Sequence, residues 1–198
     1  TELKDLPQPP WVLFYDGDIT LLHQRKMAII GSRDPNAYGI MQTQCLVDAI
    51  PKDVVIVSGL AKGIDRAAHE RAILAHRSIG VLGCGIMRVY PYEHRDLYAH
   101  LRKKHLIISE YPFDAIPFPH RFIARNRIIA ALCDPIFVMS ASLKSGSMIT
   151  VDHALSLNKD IVALPYRCNE KIGYGCNQLI ASGAHILTNP KDLFIIDK

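Results

Sequence analysis

The sequence predicts an α/β protein, a mostly parallel sheet with helices on both faces. From Met27 onward, short apolar runs of strand length alternate with longer stretches of helical period, the mark of successive βαβ units. Five of those runs feed short loops, four of them small and glycine-containing, as strands buried on both faces do when they deliver loops to one rim of an open sheet. At 198 residues the chain suits one sizeable domain, 1–198, with length enough to bury a core. No internal repeat, linker or low-complexity tract asks for a boundary.

Taken in order, residues 1–24 read as an arm packing on that domain. Trp11 to Tyr15 suits a short strand, Asp16-Gly17 a tight turn, and residues 18–22 its continuation. Strands are expected at 27–30, 54–57, 79–82, 106–108, 136–139, 161–164 and 185–187. Helices are expected at 39–50, 65–76, 92–104, 122–132, 149–157 and 177–182, with a terminal piece at 190–194. Right-handed crossovers bring the strand-end loops to one rim.

Hydrophobic residues make up 49% of the chain and charged residues 21%, and no apolar run approaches the roughly 18 residues of a membrane span. The polar, proline-rich start lacks the pattern of a secretory signal, so the expected address is cytoplasmic, with no membrane partner. Five cysteines without a C-x-x-C pair read as reduced thiols, and no metal is expected, although Cys168 and Cys176 flank one loop. Net charge is +4, compatible with a polyanionic partner. The cations gather at Arg121, Arg125 and Arg127 beside an aromatic loop.

The rim loops carry the chemistry. Gly31-Ser32-Arg33 combines a close-approach glycine, a hydroxyl and a planar cation suited to phosphate. Ser58 to Asp65 includes Gly59; Gly83-Cys84-Gly85 follows, then Ser109-Glu110-Tyr111. Ser140 to Ser147 includes Lys144, Ser145 and Gly146. Helix amino ends converging there make an anion site. The dinucleotide glycine fingerprint, the phosphate-binding lysine loop, the nucleophile elbow and the His-Glu-x-x-His pair are all missing, so no cofactor and no catalytic residue is assigned. Asp65 and His69, one helical turn apart, form either an acid/base pair or, more commonly, a helix cap beside a satisfied surface histidine. Glu110 is expected to organise Arg125 or Arg127.

Residues 111–127 interleave aromatics, prolines and cations, the composition of single-strand binders: flat side chains for bases, arginines for the backbone. Phe122 reads equally as core or as base contact. Arg121 and Arg125 should share a helix face, near Asn126. At the other end Leu179, Ile180, Ile186 and Leu187 are too many aliphatics for a small edge unit, and a two-fold interface through them is the expected reason. Packing under Leu193 and Phe194 is the alternative.

Together, PPWVLFYDGD, AIIGSR, VSGLAKGID, Tyr90-Pro91, SEYP, RFIARNRIIAAL, LKSGSMIT and GCNQLIASGA resemble the DNA-processing protein A (DprA, also called Smf) family, from Pro9 onward. The resemblance implies an extended Rossmann-like fold that binds single-stranded DNA as a homodimer. It also implies hand-over of incoming strands to a RecA-type recombinase in natural transformation, protecting rather than cutting them. The Gly-Ser-Arg loop, the cations before and within RFIARNR, and Phe122 are the implied contacts. Ser140 and Tyr166 depart from the glutamate and glycine common in that family. Its usual amino-terminal helical domain and carboxyl-terminal winged helix are expected to be missing from this chain. The competing expectation is a nucleotide-binding enzyme or sensor akin to nucleoside monophosphate hydrolases, whose Pro-Gly-Gly-x-Gly-Thr loop is not matched here.

Overall fold

The apolar runs form one eight-stranded sheet in the computed structural model, which describes residues 2–190. The strands are β1 (Phe14–Gly17), β2 (Lys26–Gly31), β3 (Val55–Ser58), β4 (Arg77–Leu82), β5 (Leu106–Ser109), β6 (Ile136–Ser140), β7 (Ile161–Ala163) and β8 (His185–Ile186). The helices are α1 (Ala37–Ala49), α2 (Ile64–Ala75), α3 (Arg95–Lys104), α4 (Pro119–Leu132), α5 (Gly146–Ser156) and α6 (Tyr174–Ala181). Strand order is β1-β5-β4-β3-β2-β6-β7-β8. All neighbours are parallel except β1, which runs antiparallel along β5.

This order positions the site. The chain moves outward from β2 through β3, β4 and β5, then returns to place β6 on the other side of β2 and moves outward again. Right-handed crossovers put α1 to α3 on one face and α4 and α5 on the other. The loops leaving β2 and β6 therefore diverge and open a crevice at the carboxyl ends of the strands. The register shift at Ile30/Gly31, where β2 leaves β6, lies at this point.

The strands at the centre read as continuous apolar runs because both their faces are covered. Ala28, Ile29, Val55, Ile56, Val57, Ile136, Phe137 and Val138 have no accessible surface. A second cluster of Leu60, Leu82, Tyr98, Leu101 and Ile107 fills the space under α3. The arm is part of the core, since Leu3, Leu6 and Leu21 are buried in it. Lys26 fastens the arm to β2: its buried ammonium donates to Glu2 Oε1 at 3.0 Å and to the carbonyls of Leu22 and Gln24 at 3.0 and 2.8 Å. A buried cation so surrounded escapes the cost of an unpaired one.

Local chemistry moved several boundaries. Asp16 and Gly17 lie in β1 rather than in a turn; an added Cβ at Gly17 would collide with the carbonyl of His105, the residue just before β5. Residues 19–23 form a 3₁₀ helix instead of a strand, because Asp18 accepts from the Thr20 amide (3.0 Å) and hydroxyl (2.6 Å) and so caps it. α4 starts at Pro119, three residues early, with proline in its first turn where no amide is needed. The expected terminal helix falls mostly beyond residue 190, outside the described residues.

Candidate functional site

The crevice is a cleft of about 530 Å³. Gly31, Ser32 and Arg33 form one wall, Tyr90, Phe122, Arg125 and Asn126 another, and Ser145, Gly146 and Ser147 at the start of α5 a third. The sequence thus placed most of its candidate contacts in one hole.

Each wall has its own reason. Gly31 is a packing glycine as much as a ligand-facing one: an added Cβ would lie 2.6 Å from Ile64 Cγ1 and 3.0 Å from the Ser140 carbonyl, so α2 packs directly on the end of β2. The Ser32 amide donates to the Ser140 carbonyl at 2.8 Å, tying the two rim loops together, while its hydroxyl accepts from the Asp34 amide at 3.1 Å. Arg33 projects into solvent with no carboxylate at ion-pair distance among the described residues. Its guanidinium lies 5.9 Å from the centre of the Phe122 ring.

Phe122 is half-buried at the cleft wall, not a core plug. Its ring meets that of Tyr90 at 5.2 Å and 36°. Gly83 allows this, because a Cβ there would reach 2.6 Å from Phe122 Cδ1 and 3.0 Å from its Cα. Tyr90 is 44% exposed, so the two rings offer a flat aromatic face to whatever enters.

Arg125 lies beneath the cleft. It is 4% exposed, and its Nη1 donates to the carbonyls of Gly59 (2.7 Å) and Val81, while Nε donates to Asn126 Oδ1 at 3.2 Å. Gly59 is glycine for this guanidinium, which would stand 2.5 Å from a Cβ. Asp65 holds the same loop, accepting from the amides of Gly59 (3.1 Å) and Ala61 (3.3 Å). Burial pushes the Asp65 carboxyl up; the Arg125 charge and those amides oppose the shift. Asp65 is therefore not the cap preceding α2 but a clamp on the loop after β3, and Gly63 holds the cap position. His69 is not at the surface. It is fully buried, with Nδ1 2.8 Å from Ser78 Oγ, and burial lowers its pKa to about 3, so it stays neutral.

Asn126 Nδ2 donates to the Gly146 carbonyl at 3.2 Å and joins α4 to the start of α5. Ser145 stands before that helix with a buried hydroxyl that has no hydrogen-bond partner among the described residues. Such an atom beside the amino end of an eleven-residue helix marks a place for an acceptor.

Arg121 and Arg125 do not share a destination. Arg121 donates to the Ile116 carbonyl at 2.8 Å and lies 4.8 Å from the Tyr111 ring and 5.1 Å from the Phe118 ring, outside the cleft wall. Lys144 is exposed in the loop before α5 and does not line the cleft. Glu110 pairs with Arg127, not Arg125, through a two-pronged contact at 2.9 and 2.5 Å, and Arg127 also donates to the Gln8 carbonyl of the arm at 3.1 Å. Cys168 is exposed and Cys176 buried, and no metal-holding cluster occurs among the described residues.

At the far edge, Leu179 and Leu187 are buried in the protein's own core, whereas Ile186 is 49% exposed and Ile180 partly buried. Of the four edge aliphatics, two are therefore available to a second copy. Sequence reasoning gave no role to Tyr90 beyond its place in a motif, and it missed the Asp65 clamp. Both depend on contacts with distant segments.

Comparison with known proteins places this geometry. The family profile described as DNA recombination-mediator protein A matches residues 1–196. DNA processing protein DprA of Bacillus subtilis is 40% identical over 195 residues, covering 97% of this chain and 66% of that protein. The Streptococcus pneumoniae DprA is 37% identical, covering 97% and 68%. Its X-ray structure superposes with a TM-score of 0.96, covering all of this chain and 70% of that one. DNA processing protein A of Helicobacter pylori, whose structure concerns the single-stranded DNA binding mode of that protein, gives 0.91 at 34% identity and covers 98% and 90%. The chain spans about two thirds of the first two curated relatives and half of the Smf protein of Synechocystis.

Proposed function

The chain belongs to the DNA recombination-mediator protein A family, and from that premise we propose that the cleft between β2 and β6 binds single-stranded DNA without cutting it. One observation carries the reading: an exposed arginine with no acidic partner among the described residues, the amino end of α5 and the Phe122–Tyr90 face converge on one cleft. Cation and helix end suit phosphate, and the rings suit an unpaired base. Gly31, Ser32, Arg33, Phe122, Asn126, Ser145 and Gly146 are the direct contacts in this proposal. Gly59 and Arg125 act from beneath, and Arg121 and Lys144 meet the strand outside the cleft. The wider role is protection of incoming strands, in the cytoplasm, and their delivery to a RecA-type recombinase during natural transformation. It draws support from the likeness to the family, as does the reading of residues 1–198 as one DNA-binding domain.

Titration of a labelled single strand, its duplex and a mononucleotide over a salt series tests this. The single strand is expected to bind most tightly, with a log–log salt slope on the order of 0.7 per phosphate neutralised. Equal affinity for the duplex, or binding of the mononucleotide alone, overturns it; the second result would favour a nucleotide-binding enzyme or sensor.

The proposed homodimer uses Ile180 and Ile186 at the β8 edge, where the sheet is otherwise open among the described residues. Replacing both with glutamate is expected to give a folded monomer by light scattering that keeps its affinity for short oligonucleotides and loses avidity for long ones. A double variant that remains dimeric removes these residues from the interface.

A further inference from the structure

Beside the cleft lies a second, smaller hollow of about 60 Å³. Arg33, Ala61, Tyr90 and Phe122 line both, so the two are continuous; Lys62 belongs to the hollow alone. The Lys62 ammonium rests 2.5 Å from Glu93 Oε1, and both side chains are more than half exposed. The backbone under Lys62 is held firmly. Leu60 and Gly63 on either side have positive φ (56° and 75°), and Asp65 fixes the Ala61 amide.

We propose that a strand leaving the cleft continues into this hollow, where Lys62 exchanges Glu93 for the next phosphate of the strand and Tyr90 gives the adjoining base its stacking face. The proposal rests on the single-strand reading above. An exposed ion pair of this kind is weak, so exchanging one oxyanion for another costs little. The carboxylate of Glu93 is then left beside a phosphate and repels it. The pair acts as a brake: Lys62 extends the grip by one nucleotide, and Glu93 keeps that extension shallow enough for the strand to be released. A lysine suits this better than an arginine, being a compact charge on a flexible stem that is free to change partner.

Fluorescence anisotropy with a long oligothymidylate and a trinucleotide, over a salt series on the full chain, tests the exchange. Lys62→Ala is expected to weaken the long strand about threefold and to flatten its salt slope by about 0.7, leaving the trinucleotide unchanged. Glu93→Gln is expected to tighten the long strand about threefold. Glu70→Gln, which removes a comparable carboxylate paired with Arg66 on α2, is expected to change nothing. All three side chains are exposed, so unaltered thermal melting should accompany every variant. A Lys62→Ala protein with the wild-type slope, or a Glu93→Gln protein indistinguishable from Glu70→Gln, overturns the subsite while leaving the cleft in place. A wild type that binds neither oligonucleotide overturns both.

Discussion

Arg33→Ala is expected to lose roughly 10- to 100-fold in affinity for single strands, the value of one or two hydrogen bonds to a charged group. Its salt slope should fall by about 0.7. The size follows from where Arg33 sits. It is exposed, has no carboxylate to satisfy it among the described residues, and stands at the junction of the cleft with the smaller hollow. The same exposure means the variant should melt like the wild type. Arg33→Lys should recover part of the slope and less of the affinity, since the charge returns without the planar fork. A folded Arg33→Ala protein that binds normally would remove the β2 loop from the interface.

Arg125→Met should have the opposite profile, with a large loss of stability and loss of binding only as its consequence. Losing the three hydrogen bonds of Arg125 and leaving the buried Asp65 carboxylate without its nearby opposite charge costs about 3–5 kcal/mol, which for a chain of this size lowers the melting temperature by on the order of 10 °C. The cost has a pH signature. Without the Arg125 charge, burial raises the Asp65 carboxyl still further above its unfolded value. Stability conferred by a raised carboxyl is present at low pH and is lost as pH rises through the folded pKa. The deficit against wild type should therefore be smallest in acid and grow toward neutrality, and Asp65→Asn in the same chain should return part of it. A variant melting within a degree or two of wild type would mean that the three hydrogen bonds of Arg125 do not hold the loops.

These two arginines also show where the sequence is legible. The apolar runs of β2 to β7 are visible because burial on both faces leaves no alternation, and the glycines closing them mark the rim. Arg33 follows directly, two residues past a strand end. Arg125 does not. Its spacing from Arg121 suggests one helix face, yet its side chain is satisfied by carbonyls at Gly59 and Val81, 66 and 44 residues away. A charge whose partners are backbone carbonyls in remote segments leaves no local pattern. Gly31 shows the reverse error: its freedom to approach a ligand is evident, but the crowding by Ile64 and Ser140 needs the packed helix. Glu110 and Arg127, only 17 residues apart, were within reach, and the choice between Arg125 and Arg127 was not. Residues 18–22 read as a strand from their apolar Ile19, Leu21 and Leu22, whereas the 3₁₀ turn there depends on the Asp18 carboxylate bonding to Thr20.

The pairing of β2 with β6 joins segments more than a hundred residues apart, and the cleft lies on that seam. On a chain emerging from the ribosome, β2, β3, β4 and β5 can associate in turn while the other edge of β2 stays open. That edge, with Ala28, Ile29 and Ile30 behind it, is a hydrophobic pairing template until residues 136–140 arrive. The closure entropy of so long a loop must be met before the seam forms, which makes it a slow contact. The binding cleft is therefore assembled late in synthesis, and a chain broken off before Ile136 lacks both the strand that closes β2 and the α5 wall of the cleft, leaving the inner edge of β2 open.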